Sequence, residues 1–173
     1  MTLMQDFCTL DNKPETEMSA AIESRLKELG FTLPEAAAPA ANYLPTRISG
    51  NMLYVSGQLP LEAGKIAAIG LLGAEIDVAT GQRAAELCAI NVIAQAKAAL
   101  GGDLSRIRQF VKLTSFVASA PGFTEQHLVT NGASNLIASV FGDAGKHARS
   151  AVGMAGLPFN AAVEVEAIIE IDA

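Results

Sequence analysis

His147-Ala148-Arg149-Ser150-Ala151-Val152-Gly153-Met154-Ala155-Gly156-Leu157-Pro158-Phe159-Asn160-Ala161-Ala162-Val163-Glu164-Val165-Glu166-Ala167-Ile168-Ile169-Glu170-Ile171 reads as two strands joined by a short loop. The second run alternates. Val163, Val165, Ala167, Ile169 and Ile171 point one way, and Ala162, Glu164, Glu166, Ile168 and Glu170 the other. A period of two marks a strand with one buried face. The carboxylates on the opposite face need water, a cation or a partner chain. Arg149 and Glu164 lie equally far from the Gly156-Leu157 link. A hairpin centred there makes them cross-strand neighbours on one face. Such a pair is either a salt bridge on a wet sheet face, the common case, or a cation and a carboxylate presented together in a cleft.

Working back along the chain, Arg108 to Val117 form another strand, separated from the terminal pair by a helix from about Thr124 to Val140. An Ala-rich helix, apolar nearly all round, precedes that strand; Asp77 or Thr80 caps it and Gly101-Gly102 stops it. Residues 61–76 are Gly-rich and without clear period, which predicts a long loop with room for one short strand. Thr46-Arg47-Ile48 and Met52-Leu53-Tyr54-Val55-Ser56 flank a Gly50-Asn51 turn and predict a tight hairpin. A helix from Ser19 to about Leu29 precedes them. The order is helix, strand, strand, helix, strand, helix, strand, strand. It predicts an α+β two-layer domain, a mixed β-sheet with helices packed on one face. Residues 1–17 are polar and read as a loosely ordered extension of a single domain over 18–173.

At 173 residues with half of them apolar, the chain can bury a substantial core. No uncharged apolar run approaches the roughly 20 residues that span a bilayer, and the first residues lack the basic and apolar regions of a signal peptide. Cys8 and Cys88 are far apart, so a disulfide framework is not expected and a cytoplasmic location fits. A net charge of −6 and scattered cations disfavour nucleic acid as the partner. Two histidines without a nearby Cys or carboxylate cluster do not suggest a metal site.

Four phrases, in order, resemble the Rid family (reactive intermediate deaminases, YjgF-like, formerly endoribonuclease L-PSP). Met52-Leu53-Tyr54-Val55-Ser56-Gly57-Gln58-Leu59-Pro60 is similar to its strand ending in Ser-Gly-Gln-hydrophobic-Pro. Val111-Lys112-Leu113-Thr114-Ser115-Phe116-Val117 resembles its Val-Lys-x-Thr-x-Phe strand, and Ala148-Arg149-Ser150 its Ala-Arg-Ser. Leu157-Pro158 followed by Val163-Glu164-Val165-Glu166-Ala167 resembles its ending. The resemblance implies a chorismate-mutase-like fold and a homotrimer with sites in the clefts between subunits. The implied activity is hydrolysis of enamine and imine acids, such as 2-aminoacrylate, to 2-oxo acids and ammonia, a 2-iminobutanoate/2-iminopropanoate-type deaminase with no cofactor and no metal.

It also implies site residues. Arg149 would hold the substrate carboxylate through its planar fork of donors. Glu164 would be the catalytic group, activating water and protonating the departing amine. Tyr43 matches a site tyrosine, or is a loop-edge aromatic. Ser56 and Gly57 match the strand end that meets the ligand; no motif places His127 or His147 as a base for Ser56. Asn131 matches a site asparagine, or is a helix-surface residue. His147 is a site-rim group that titrates near neutrality, or an exposed strand-start residue. The Asn131-Gly132-Ala133-Ser134 and Gly145-Lys146-His147-Ala148-Arg149-Ser150-Ala151-Val152-Gly153 phrases resemble a less characterised branch of the family, and two departures stand beside them. Ala151 stands where many deaminase-active members have Cys, and Leu44-Pro45 follow the tyrosine in place of a small residue and Gln. Alternatives are a non-catalytic trimer that binds small carboxylic acids, and an endoribonuclease, which the acidic balance disfavours.

Overall fold

The computed structural model of the chain describes residues 15–38 and 42–172. The first helix, α1, covers Glu15–Glu28. It begins ahead of Ser19; residues 1–14, with Cys8, lie outside the described residues. Strands β1 (Thr46–Ser49) and β2 (Met52–Gln58) form the expected hairpin. Gly50 supplies the left-handed turn conformation, with φ of 59°. The Gly-rich stretch contains two two-residue strands, β3 (Leu61–Glu62) and β4 (Lys65–Ile66), paired only with each other. Then follow α2 (Val78–Ala99), β5 (Ile107–Ala118), α3 (Gln126–Phe141), β6 (Ala148–Met154) and β7 (Val163–Ile171). The Asp77 side chain accepts the Thr80 N–H at 2.8 Å, as a helix N-cap does. The architecture is the expected α+β one.

The terminal hairpin does not form. The main sheet has the order β1-β2-β7-β5-β6, so β5 lies between β6 and β7. β6 runs parallel to β5, and the other neighbours are antiparallel. The reason is the connection. β5 and β6 are joined through α3, and a strand–helix–strand unit returns the chain parallel to its start. β7 then takes the central slot between β2 and β5, where both of its edges are hydrogen-bonded. That suits a strand whose alternate residues are all buried, because the slot leaves no ladder group unpaired beside a dry core. β6, exposed over most of its length, takes the edge.

One sheet face is dry. Leu53, Val55, Leu113, Val117 and the alternate residues Val163 to Ile171 pack into a core with α2 and α3. Cys88 of α2 belongs to that core and is fully buried. Burial raises its thiol well above the ordinary range, which makes it an inert packing residue, as its helix position suggests. Helices α2 and α3 touch at Gly132, where an added Cβ would sit 2.0 Å from the Gln82 backbone oxygen. Backbone cannot yield as a side-chain tip can. Gly132→Ala is therefore expected to cost about 3 kcal/mol, the upper end of an overpacking penalty. Urea unfolding checks this, and an unchanged midpoint would contradict the close approach. No helix among the described residues is long and apolar enough to cross a membrane.

Candidate active site

The candidate site residues fall into two groups, set apart by the sheet. Residues paired across neighbouring strands point to the same face. Arg149 pairs with Leu113, which pairs with Ala167, and both partners are buried under the helices. Glu164 pairs with Phe116, which pairs with Val152 on the open face. Arg149 and Glu164 therefore lie on opposite faces and are two strands apart, and the cross-strand neighbourhood expected of a terminal hairpin is absent.

The first group centres on Glu164. Between Val55 and Gln58 the register of β2 against β7 shifts, so Ser56 and Gly57 form a bulge beside Glu164. The Glu164 carboxylate lies against the Gly57 α-carbon. A Cβ at position 57 would come within 1.8 Å of Glu164 Oε1. Burial in this notch, and next the charge of Glu166, raise the Glu164 pKa above the ordinary carboxylate value. Ser56 is committed to structure. Its hydroxyl and its N–H both donate to the Pro45 carbonyl, at 3.1 and 3.0 Å, and so hold the segment that carries Tyr43. Tyr43 lines a cleft of about 270 Å³ together with Pro45, Gly57, Leu59, Ile66 and Phe159.

Buried amides of α2 brace this cleft. Gln95 Nε2 donates to the Ala37 carbonyl at 2.7 Å, and Asn91 Nδ2 to the carbonyls of Leu59 and Leu61 at 2.9 and 3.2 Å. Phe159 at the rim is 67% exposed and has a left-handed backbone, φ 55°. Such a conformation is costly for an aromatic residue and tends to persist where the surroundings over-determine it.

Gly57→Ala separates the site from the fold. The obstructing atom is the end of a flexible side chain, and Gly57 is not among the positive-φ glycines, so alanine fits the backbone. The Glu164 carboxylate must move, by an amount that typically costs about 10²-fold in rate. The expected result is activity reduced about that much with an unchanged melting temperature. An unchanged rate would dissociate the notch from the chemistry.

The second group centres on Arg149. Its Nη1 donates to Asn131 Oδ1 at 2.9 Å and to Ser134 Oγ at 3.1 Å, and its Nη2 to the His127 carbonyl at 3.2 Å. All three acceptors are on α3. Asn131 thus faces Arg149. Among the described residues no carboxylate forms an ion pair with Arg149. The Nε–H and one Nη2–H remain for a ligand, and an uncompensated guanidinium suits a carboxylate. His147 is half-buried, bonded to Ser134 and to Gly145. Burial lowers its pKa below the ordinary histidine value, against the Gly145 hydrogen bond, which raises it.

Sequence reasoning did not reach Ser134, the His127 carbonyl or Phe159. The i, i+4 and i+7 spacing of His127, Asn131 and Ser134 places them on one side of α3, but a polar stripe on a helix reads equally well as solvent-facing.

Comparison with known proteins identifies its family. Residues 23–171 match the family described as "YjgF/chorismate_mutase-like, putative endoribonuclease". The chain is similar to Protein TCP17 of Trypanosoma cruzi, 53% identical over 155 residues, covering 89% of this chain and 96% of that one. Among solved structures it resembles the protein Atu1372, of unknown function, from Agrobacterium tumefaciens. That match has 68% identity and a TM-score of 0.88, over 91% of this chain and 97% of the other. A second is described as a putative endoribonuclease from Shewanella oneidensis, with 39% identity and a TM-score of 0.84, over 87% and 99% of the two chains. TdcF from E. coli, solved with bound serine, is more distant, at 26% identity and a TM-score of 0.54 over 81% and 93%. With matching residues from α1 through β7, this chain belongs to the YjgF/chorismate mutase-like family, the Rid family.

Proposed function

We propose that this protein hydrolyses reactive imine and enamine acids of the 2-aminoacrylate type to 2-oxo acids and ammonia, in clefts shared between subunits of a homotrimer. One observation carries the reading. The chain presents a carboxylate of raised pKa in a notch on one sheet face, and a guanidinium with two uncommitted donors on the other. A small substrate meets both only if a second copy brings its Arg149 group to the first copy's Glu164 group. The open face suits such a contact, because Tyr54 and Val152 expose apolar surface there, at 44% and 43%. The serine bound to TdcF carries the same carboxylate and a nitrogen on the adjacent carbon.

The chemistry needs only positioned groups. An enamine acid first tautomerises by protonation at its β-carbon to the iminium acid. Arg149 holds the substrate carboxylate through its remaining donors. Glu164, as carboxylate, takes a proton from water while the water oxygen bonds to the C=N carbon, giving a carbinolamine. Glu164 returns that proton to the amine nitrogen. The C–N bond then breaks with its electrons leaving on nitrogen. The carbonyl forms, and ammonia carries off the hydroxyl proton as ammonium. Iminium plus water become ketone plus ammonium, with no net redox change. The substrate side chain enters the cleft beside Tyr43 and Phe159.

The test couples an L-amino-acid oxidase, which generates imines, to semicarbazide, which traps them. Wild-type protein is expected to suppress semicarbazone formation, and Arg149→Ala and Glu164→Gln to lose that effect. Light scattering on the same preparation is expected to give the trimer mass. Suppression by neither wild type nor variants, with carboxylate binding retained, would favour the non-catalytic binding protein.

A further inference from the structure

We propose that Ser134 and His147 are positioning residues for Arg149, a hydrogen-bond relay that orients its guanidinium toward a substrate carboxylate. The proposal rests on the reading of Arg149 given above and extends it to its neighbours Ser134 and His147.

The direction of the relay follows from which atoms carry hydrogen. His147 Nδ1 lies 2.6 Å from the Gly145 carbonyl oxygen. A carbonyl only accepts, so Nδ1 carries the hydrogen. In the neutral ring Nε2 is then an acceptor. Nε2 lies 3.0 Å from Ser134 Oγ, so the serine O–H donates to it. With its one hydrogen spent there, Ser134 Oγ turns a lone pair to Arg149 Nη1 at 3.1 Å. The chain runs Arg149 to Ser134 to His147 to Gly145, each donor meeting one acceptor. Asn131 takes the other Nη1 hydrogen, and the His127 carbonyl one from Nη2. Nη1 is thereby saturated and the guanidinium plane is held from three points on one helix. The Nε–H and one Nη2–H are left over. Gly145 is itself held: a Cβ there would lie 2.5 Å from the Ile137 carbonyl oxygen of α3, so the turn that anchors the relay is packed onto the same helix.

The surroundings favour the neutral ring. His147 loses solvation by burial and Arg149 adds a repelling positive charge, against the hydrogen bond to Gly145, which favours the charged ring. Nearby on the preceding turn, Lys146 and Asp143 pair with each other at 2.6 Å. From β5, Lys112 pairs in register with Ala148, and from α3 His127 offers Arg149 its backbone carbonyl. Protonating Nε2 would place hydrogens on both sides of the Nε2–Oγ contact, turn the serine hydroxyl away and set two cations around one oxygen. Protonation would break the relay and so weaken binding, and ligand binding is reciprocally expected to hold the neutral ring.

The experiment measures binding of 2-oxobutanoate by calorimetry to full-length wild type, Ser134→Ala, Ser134→Thr, His147→Phe and Arg149→Ala. Histidine ¹⁵N NMR follows His147 with and without the ligand. Ser134→Ala is expected to weaken binding about tenfold, the loss of one hydrogen bond to a charged group. Ser134→Thr keeps the hydroxyl and is expected to restore it. His147 is expected to carry its hydrogen on Nδ1 and to stay neutral, with Nε2 unprotonated, when ligand is bound. If Ser134→Ala and His147→Phe bind as wild type does while Arg149→Ala does not, the relay is overturned and the Arg149 reading stands. If Arg149→Ala binds as wild type does, both are overturned.

Discussion

Glu164→Gln is expected to lower kcat by about 10²–10⁴-fold, the range that general acid–base groups contribute. Binding of 2-oxobutanoate should stay within about threefold of wild type, because the substituted group acts on the transition state rather than on the ligand carboxylate. Glutamine matches the size of glutamate and fits the notch over Gly57, but it cannot take a proton from water. The pH dependence follows from the same residue. The attacking step needs the carboxylate, so kcat should fall as pH drops through the Glu164 pKa, and the acid limb should lie above the ordinary glutamate value.

Stability should move the opposite way. A carboxyl that binds its proton more tightly when folded contributes stability at low pH, and that contribution is lost as pH rises through the folded-state pKa. At neutral pH the buried charge is a liability which Gln removes. Glu164→Gln is expected to melt at the same temperature as wild type or higher while being nearly inactive. Full activity in this variant would remove Glu164 from the mechanism. A lower melting point with weakened ligand binding would make it a structural residue.

Arg149→Ala is expected to act on the other parameter. Truncating the guanidinium removes the charge-assisted fork for the substrate carboxylate and frees Asn131, Ser134 and the His127 carbonyl. The loss should be about 10²-fold in kcat/KM, carried mainly by KM. Arg149→Lys is not expected to rescue. An ammonium can satisfy the acceptors on α3 or reach the ligand, but it lacks the planar geometry that does both. Mixing Arg149→Ala with Glu164→Gln probes the shared cleft. If each site takes these groups from different copies, mixed trimers regain some wild-type sites and activity returns. Absence of recovery in demonstrably mixed oligomers would overturn the shared cleft and leave Arg149 and Glu164 in no common site.

Much of this molecule was legible locally. The alternation from Val163 to Ile171 appears as the buried and half-buried pattern of β7. Asp77, the Gly101-Gly102 stop and the Gly50 turn set element ends, because a cap or a left-handed turn depends on a few adjacent residues. Gly57 marked the end of its strand, and the structure packs Glu164 against it. What these signals share is short range.

Strand pairing is a different kind of choice. Symmetry about Gly156-Leu157 suggested that β6 and β7 pair, but adjacency in sequence is not adjacency in a sheet. The helical connection from β5 to β6 makes those two parallel neighbours, and full pairing of the buried β7 draws it to the centre. That single topological decision put Arg149 and Glu164 on opposite faces. It also brought Arg149 against α3, where Ser134 and His147 became its partners. Residue types, periodicity and caps determined which segments are strands and helices and which side chains carry chemistry. Only the tertiary structure decided which of them meet, because burial of strand edges and faces is satisfied by the whole sheet at once.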